Sequence, residues 1–479
     1  MPATLRGYLD ALGDRLVEIH DEVDPVTQAG ILSSESQHPF LLHNLKGFPG
    51  WSLCDRLLAT RQLQALALGA PPDRLVPYLA ERMFKHGPGK SQLVADGPCK
   101  EVKLLGDAAD VTKIPVPIHS EGDAGRYIGS GITITRDPDT GVRNEAMVRA
   151  FVREPRRIPF WMAARHNWRH YLKYQERGDP MPMAYAIGVH PAYEIMSNYS
   201  GQHDTWDELE LGAGVLGETL ELVKCETIDL EVPAHAEVVI EGIVRPHVRE
   251  QEGPFGEFTG YRQGAEGPAP VWEITAVTHR KNPIFRHVQA TLFTDHQILV
   301  SLPMEATLFN RLRDVQGFSE IHDIYIPQWV TMFVVFIKMT PRWEGQARDV
   351  MLAALSGPNL HPKIVIAVDE DVNIHDPREV FWAISTRVNP EKDVIIIPHE
   401  RIHPLDISAP KYSEEEVTVM RIGGKMAIDA TKPPVWRQKD RDHFRRVNPS
   451  GYGDKALEGI LALLRADRPV SQKPQFASR

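Results

Sequence analysis

Apolar and polar positions follow three successive rhythms along this chain. To about residue 110 the spacing is helical in TLRGYLDALGDRLVEI and PPDRLVPYLAERMFKH, with short loops such as LKGFPG between. Thr4 is followed three residues on by Gly7 rather than Glu or Gln, so the first helix has no capping box. From about 111 to 305 the runs YIGSGITITRD, EAMVRAFV, LVKCETIDLEVP, AEVVIEGIVRP, PVWEITAVTHR and PIFRHV read as strands. Turn residues in RDPDTG and RKNP separate them, which predicts an antiparallel barrel or sandwich interrupted by helical WRHYLKYQERG and LGAGVLGETLEL. Beyond 306 the rhythm changes again. WVTMFVVFIKM, GQARDVMLAALSG, KIVIAVDE, DPREVFWAISTRV and DVIIIP predict a βαβαβ run with a parallel layered sheet, Asp376 capping the helix opened by Pro377. The expected division is 1–110, 111–305 and 306–479, the last ending in a loosely docked tail, SQKPQFASR.

Composition narrows the function class only modestly. The 479 residues are 42% hydrophobic and 25% charged, which suits a globular chain of two or three domains. A formal net charge of −10 argues against nucleic acid as a partner. The longest apolar run, WVTMFVVFI, is strand length, far short of the ~18 residues of a membrane span. The N-terminus carries acids and has no apolar signal core, and the three cysteines are widely spaced without a CxxC pair; both point to the cytoplasm and away from a cysteine zinc site. Local charge is more telling. Residues 143–173 hold eight Arg or Lys against two Glu, and residues 201–260 hold fourteen acids against three bases. Arginines suit a carboxylate or phosphate ligand, and clustered acids suit a hard cation, although most of these positions are expected to be solvated surface.

The sharpest local feature is EGPFGEFTGY (252–261). Pro254 suits position i+1 of a tight turn and Gly256 suits i+3, so the chain folding back brings Glu252 and Glu257 together. Two carboxylates in one site cannot both ionise cheaply, so one is pushed to hold a proton near neutrality. The bland alternative is a solvated acidic hairpin rim. In NEAMVR, Asn144 and Arg149 fall on opposite faces of a regular strand and so serve different sites. Arg149 can clamp a carboxylate or hold the two glutamates. Asn144, His166 and Glu208 offer an amide oxygen, an imidazole nitrogen and a carboxylate, a set for a divalent metal of Mn²⁺ type; Glu210 is the competing acid. Lys425, after two glycines, suits an anion. Two nucleotide-loop patterns are decoys: GAGVLG (212–217) lacks the preceding apolar strand and reads as a glycine-eased helix start, and GPGKS (87–91) has Phe84 where a P-loop has its first glycine.

Taken together, NEAMVR, LGETLELVKCETIDLEVP, EGPFGEFTGY, DEDVNIHDPREVFWAISTR and GGKMAIDAT resemble the UbiD-type prenylated-FMN-dependent decarboxylases from about residue 40 to 435. These enzymes remove or add CO₂ on aromatic, heteroaromatic or α,β-unsaturated acids. The resemblance implies an α+β multidomain fold: an N-terminal mixed α/β region, a central antiparallel split β-barrel that binds the flavin, and a C-terminal α/β layered domain with an oligomerisation role. It implies Arg149, Glu252 and Glu257 as the catalytic set, with Glu257 delivering a proton after CO₂ leaves a covalent flavin–substrate adduct. It further implies Mn²⁺ on Asn144, His166 and Glu208 beside the flavin phosphate, Arg165 and Lys425 at the cofactor, and K⁺ held by backbone around Ser197. His296 and Asp429 fall near substrate or flavin, slightly favouring a (hydroxy)benzoate-like acid over an acrylic one. The implied partners are the acid and CO₂, a flavin prenyltransferase supplying the cofactor, and further copies of the chain in a dimer or hexamer. An NAD-dependent dehydrogenase using GAGVLG is the alternative from another class.

Overall fold

The computed structural model describes residues 2–447 apart from 164, 202–204, 263–266, 358–359 and 416–417; the C-terminal tail lies outside the described residues. The first helix spans Leu5–Leu12, where Thr4 caps it alone by accepting the Gly7 N–H at 3.0 Å. It ends at Gly13, whose φ of 52° suits a residue without Cβ. The chain then enters the strand Val17–Val23, not the continued helix that the spacing predicted, because β-branched VEIHDEV pairs in parallel with Phe40–Leu45. Ser52–Asp55 and the distant strand Ile284–Arg286 complete this four-stranded sheet.

The central sheet is antiparallel, in the order Arg157–Pro159, Gly267–His279, Val238–Glu252, Met181–Ile187, Ile132–Arg136, Arg143–Met147, with Val102–Leu105 also on Gly267–His279. Its terminal strands do not pair with each other among the described residues, so the sheet is open and not the closed barrel that strand count alone allowed. The 15-residue strand Val238–Glu252 bends through two register shifts on its way to Glu252. Gly242 sits at the first, where a Cβ would stand 2.1 Å from the Glu273 carbonyl oxygen.

Both glycine decoys have a packing role. GAGVLG lies inside and at the end of the helix Glu208–Leu216, not at its start. A Cβ on Gly214 would sit 2.2 Å from the Gly87 carbonyl oxygen, and one on Gly89 2.5 Å from the Gly214 nitrogen, so the two motifs close-pack on each other.

The C-terminal sheet runs Ile321–Tyr325, Val334–Met339, Ile364–Asp369, Thr418–Ala430, Val394–Ile402. Val334–Met339, Ile364–Asp369 and Thr418–Ala430 are parallel. DVIIIP, expected as the third parallel strand, pairs antiparallel at the edge, and its expected place is taken by the strand containing RIGGKM. Asp376 caps its helix as predicted, accepting the Arg378 N–H at 2.9 Å.

The helix Asp295–Phe309 packs against Leu75–Glu81 of the N-terminal region and against Ile321–Tyr325 of the C-terminal sheet, joining the parts through one apolar cluster. Within it Glu305 is buried, receives Arg61 Nη1 at 3.1 Å and the Ile326 N–H at 2.8 Å, and is pushed up to about 7 by burial against the pull of Arg61. A folded-state pKa above the ordinary 4.5 means stability that is complete below 4.5 and lost as pH rises through about 7. Glu305→Gln is therefore expected to unfold with a flatter pH dependence between about pH 5 and 8 than the parent, measured as apparent Tm. Parallel curves would refute this assignment.

Candidate active site

Arg149 is the hub of the central site. It follows the strand Arg143–Met147, and Glu252 ends the strand Val238–Glu252, which is separated from it by two strands of the central sheet and runs on beyond its pairing with Met181–Ile187. Arg149 Nε donates to Glu252 Oε1 at 3.0 Å and Nη2 to Oε2 at 2.9 Å, while Nη1 donates to Glu257 Oε1. The two carboxylates thus converge, but not through the expected turn. Residues 253–257 make no turn hydrogen bond among themselves and include a cis Gly253–Pro254 peptide. The segment is instead docked on residues 120–124: Ala124 N donates to Pro254 O at 2.8 Å and Gly256 N to Asp123 Oδ1 at 2.8 Å. Phe255 is buried beneath the guanidinium, its ring centroid 4.6 Å from Arg149 Cζ, and packs on Tyr127 at 4.5 Å. Burial raises the Glu252 carboxyl above its usual range; Arg149 opposes this and the neighbouring Glu257 charge adds to it.

On the other side of Glu257, Phe258 opens onto a cup of rings. Its centroid lies 5.7 Å from His296, 6.3 Å from Phe333 and 6.2 Å from His403, and His403 lies 4.4 Å from His361. Burial, then the nearby Arg149 charge, pushes His296 down to about 4; burial and Arg165 likewise push His403 down to about 4. These imidazoles are neutral hydrogen-bonding groups at neutral pH. His361, Phe333 and His403 escape the motif search. The two histidines share one sequence signal, a His-Pro step at the margin of a strand: His361-Pro362 before Ile364–Asp369 and His403-Pro404 after Val394–Ile402.

Asn144 and His166 meet, with 2.9 Å between Asn144 Oδ1 and His166 Nδ1, and Asn144 Nδ2 donates to Asn167 Oδ1 at 2.6 Å. Glu208 reaches the same strand one residue along: its Oε2 accepts the Glu145 N–H and its own N–H donates to Glu145 Oε2, both at 2.9 Å. Glu210 turns away to Ser91 Oγ at 2.5 Å. Burial pushes Glu208 up to about 7 and raises Glu145 well above its usual range, and Glu145 Oε1 is buried without a hydrogen-bond partner. Excess buried carboxylate beside an amide oxygen and an imidazole fits a divalent cation.

The remaining predicted residues scatter. Arg165 donates to Ser200 Oγ, which places the 197–200 segment beside His166, and Ser197 Oγ donates to Glu194 O at 2.8 Å. Lys425 is buried in its strand and donates to Leu355 O at 2.6 Å, with Glu400 3.8 Å away. Asp429 caps a turn, accepting Thr431 N at 3.0 Å and Oγ1 at 2.7 Å, and has no described contact with the ring cup. A separate cavity of about 290 Å³ near Thr4 and His190 shares no lining residue with the Arg149 cluster.

Comparisons with known proteins cover nearly all of this geometry. Residues 9–83, 92–291 and 297–430 match, in order, the N-terminal, Rift-related and C-terminal domains of the UbiD family, described as 3-octaprenyl-4-hydroxybenzoate carboxy-lyase. The chain is 31% identical over 453 residues to anhydromevalonate phosphate decarboxylase of Methanothermobacter thermautotrophicus, covering 93% of this chain and 100% of that protein. It superposes on the UbiD-class enzyme HmfF of Pelotomaculum thermopropionicum in complex with FMN with a TM-score of 0.84, at 34% identity over 95% of this chain and 99% of the other. An evolved dimeric form of HmfF holds prFMN. The apo 3,4-dihydroxybenzoic acid decarboxylase AroY of Klebsiella pneumoniae superposes with a TM-score of 0.82 at 25% identity, covering 94% of this chain and 99% of the other. No described helix is long and apolar enough to cross a membrane.

Proposed function

Because this chain belongs to the UbiD family of carboxy-lyases, we propose that it is a prenylated-FMN-dependent, reversible decarboxylase of an aromatic or heteroaromatic carboxylic acid. The observation that carries the reading is Arg149 bridging Glu252 and Glu257 at the edge of the ring cup. Bound prenylated FMN supplies the electrophilic centre and electron sink for loss of CO₂. Everything else falls to the chain. Glu252, fixed by two hydrogen bonds, sets the Arg149 guanidinium; Arg149 in turn aims Glu257, which spends one oxygen on it and delivers the proton to the carbon that lost CO₂. The Phe255 ring holds the far face of Arg149 and keeps water from it.

Asn144, His166 and Glu208 would hold Mn²⁺ against the cofactor phosphate, with Arg165 and Lys425 as further phosphate contacts and the backbone around Ser197 for K⁺. The pairing of Glu208 with the Asn144 strand, and the diversion of Glu210 to Ser91, supports Glu208 as the ligand. In the substrate cup His296 would donate to or accept from a ring substituent, and Phe258 and Phe333, in edge-to-face contact with each other, would form its apolar wall. This aromatic lining supports a ring acid, slightly favouring a (hydroxy)benzoate-like one. An α,β-unsaturated acid is the second reading, favoured by the full-length similarity to anhydromevalonate phosphate decarboxylase.

The test is protein produced alongside a flavin prenyltransferase, assayed against a panel of aromatic, furan-type and acrylic acids. Expected are a modified-flavin absorbance, Mn²⁺ by elemental analysis, and exchange of labelled CO₂ into a ring acid. Exchange confined to acrylic acids would replace the substrate class, and holoprotein inert to the whole panel would remove the proposal.

A further inference from the structure

The N-terminal sheet carries a cluster of metal-ligating side chains with no part in the chemistry above. Glu18 and His20 are two residues apart on the exposed edge strand Val17–Val23, so they share a face. The adjacent parallel strand Phe40–Leu45 pairs Glu18 with Leu41 and Ile19 with Leu42, which brings His43 alongside His20 just where the register then shifts. The two imidazoles lie parallel, 4.5 Å apart at 10°. Glu18 Oε2 is 3.3 Å from His43 Nε2 and 3.9 Å from His20 Nε2, and one ligand atom from each of the three residues falls within 4.8 Å of the others.

A hydrogen-bonded ion pair would be the ordinary explanation, and the geometry does not provide it. His43 Nε2 is a buried atom with no hydrogen-bond partner, although the Glu18 carboxylate faces it at 3.3 Å. Around a tetrahedral ion with ligands at about 2.0–2.1 Å, neighbouring donor atoms stand about 3.4 Å apart. The Glu18–His43 separation already fits, and the exposed His20 ring, now stacked on His43, would turn out of the stack to aim its nitrogen at the same ion.

We infer that Glu18, His20 and His43 form a surface site for a borderline divalent cation of the Zn²⁺ class, tying the edge strand to its neighbour across the register shift. Two imidazoles and one carboxylate suit Zn²⁺ better than Mg²⁺ or Ca²⁺, which take all-oxygen sets, and water would complete the coordination.

The experiment is calorimetric titration of the Mn²⁺-loaded, untagged holoenzyme with Zn²⁺, comparing the parent with the double variant His20→Ala/His43→Ala. The parent is expected to take up one Zn²⁺ more than the variant, and Zn²⁺ is expected to raise the apparent Tm of the parent alone by a few degrees. Decarboxylation rates should match, because neither histidine touches the Arg149 site. Equal Zn²⁺ stoichiometry in the two proteins, or an equal Tm response, would overturn the site.

Discussion

Glu257→Gln is expected to lower kcat by about 10²–10⁴-fold, the usual worth of a positioned general acid, while flavin and Mn²⁺ content stay at parent levels. The substituted amide would keep the size of the side chain and an oxygen able to accept from Arg149 Nη1, so the Arg149–Glu252 pair at 2.9–3.0 Å has no reason to reorganise. Only the exchangeable carboxyl proton is removed. That separation makes the variant informative: an apoprotein would indicate a structural role for Glu257, and holoprotein with near-parent turnover would remove the acid/base assignment. The protonation step can be read directly by solvent deuterium incorporation at the product carbon. If Glu257 delivers the proton, a single turnover of the variant in D₂O is expected to yield far less deuterated product than CO₂ released.

The parts of this site that were legible in the sequence are those where one short segment carries two functional groups. EGPFGE and N-x₄-R draw attention to Glu252, Glu257, Asn144 and Arg149, but spacing leaves a solvated acidic rim equally open, and the roles come from the resemblance to the UbiD-type decarboxylases. The mechanism of convergence was not legible. Gly-Pro-Phe-Gly has turn composition, but its backbone groups are taken by Ala124 and by Asp123, which lies 133 residues upstream of Gly256, and no local rule weighs such a partner. The same reason hid His361, Phe333 and His403, which reach the cup only because the C-terminal sheet packs against the Asp295–Phe309 helix. Asp429 is likewise engaged locally, its carboxylate capping a turn through Thr431 at the end of its strand, as turn composition before Lys432-Pro433-Pro434 allows. In the fold, strand and helix rhythms were read correctly where a segment had one strong period. They failed where an edge was at stake, as for DVIIIP, since direction within a sheet is set by neighbours and not by apolar spacing.

Arg286→Met is expected to be the most destabilising single substitution outside the site, costing about 3–5 kcal/mol, the typical penalty for removing one partner from a buried charge cluster. Arg286 is fully buried and receives three carboxylates: Asp55 at 2.8 Å, Asp295 at 2.8 Å and Glu194 at 3.2 Å. These come from the strand Ser52–Asp55, the start of the helix Asp295–Phe309, and the helix Pro191–Met196, so one guanidinium pins three elements to its own strand. Even with Arg286 present, burial holds Glu194 up at about 7. Burial raises Asp295 too, and Arg286 opposes the rise at both acids. Without it Glu194 and Asp295 are taken up further, and each raised folded-state pKa contributes stability that disappears as pH rises through it. The gap in apparent Tm between parent and variant should therefore be wider near about pH 8 than near about pH 6. A gap that is constant with pH would mean that lost packing, not unpaired carboxylate, is the cause, and a parent-like Tm at both values would mean the cluster does not anchor these elements. Because Asp295 immediately precedes His296, the surviving fraction of Arg286→Met is further expected to show a raised KM for the ring acid with flavin content unchanged.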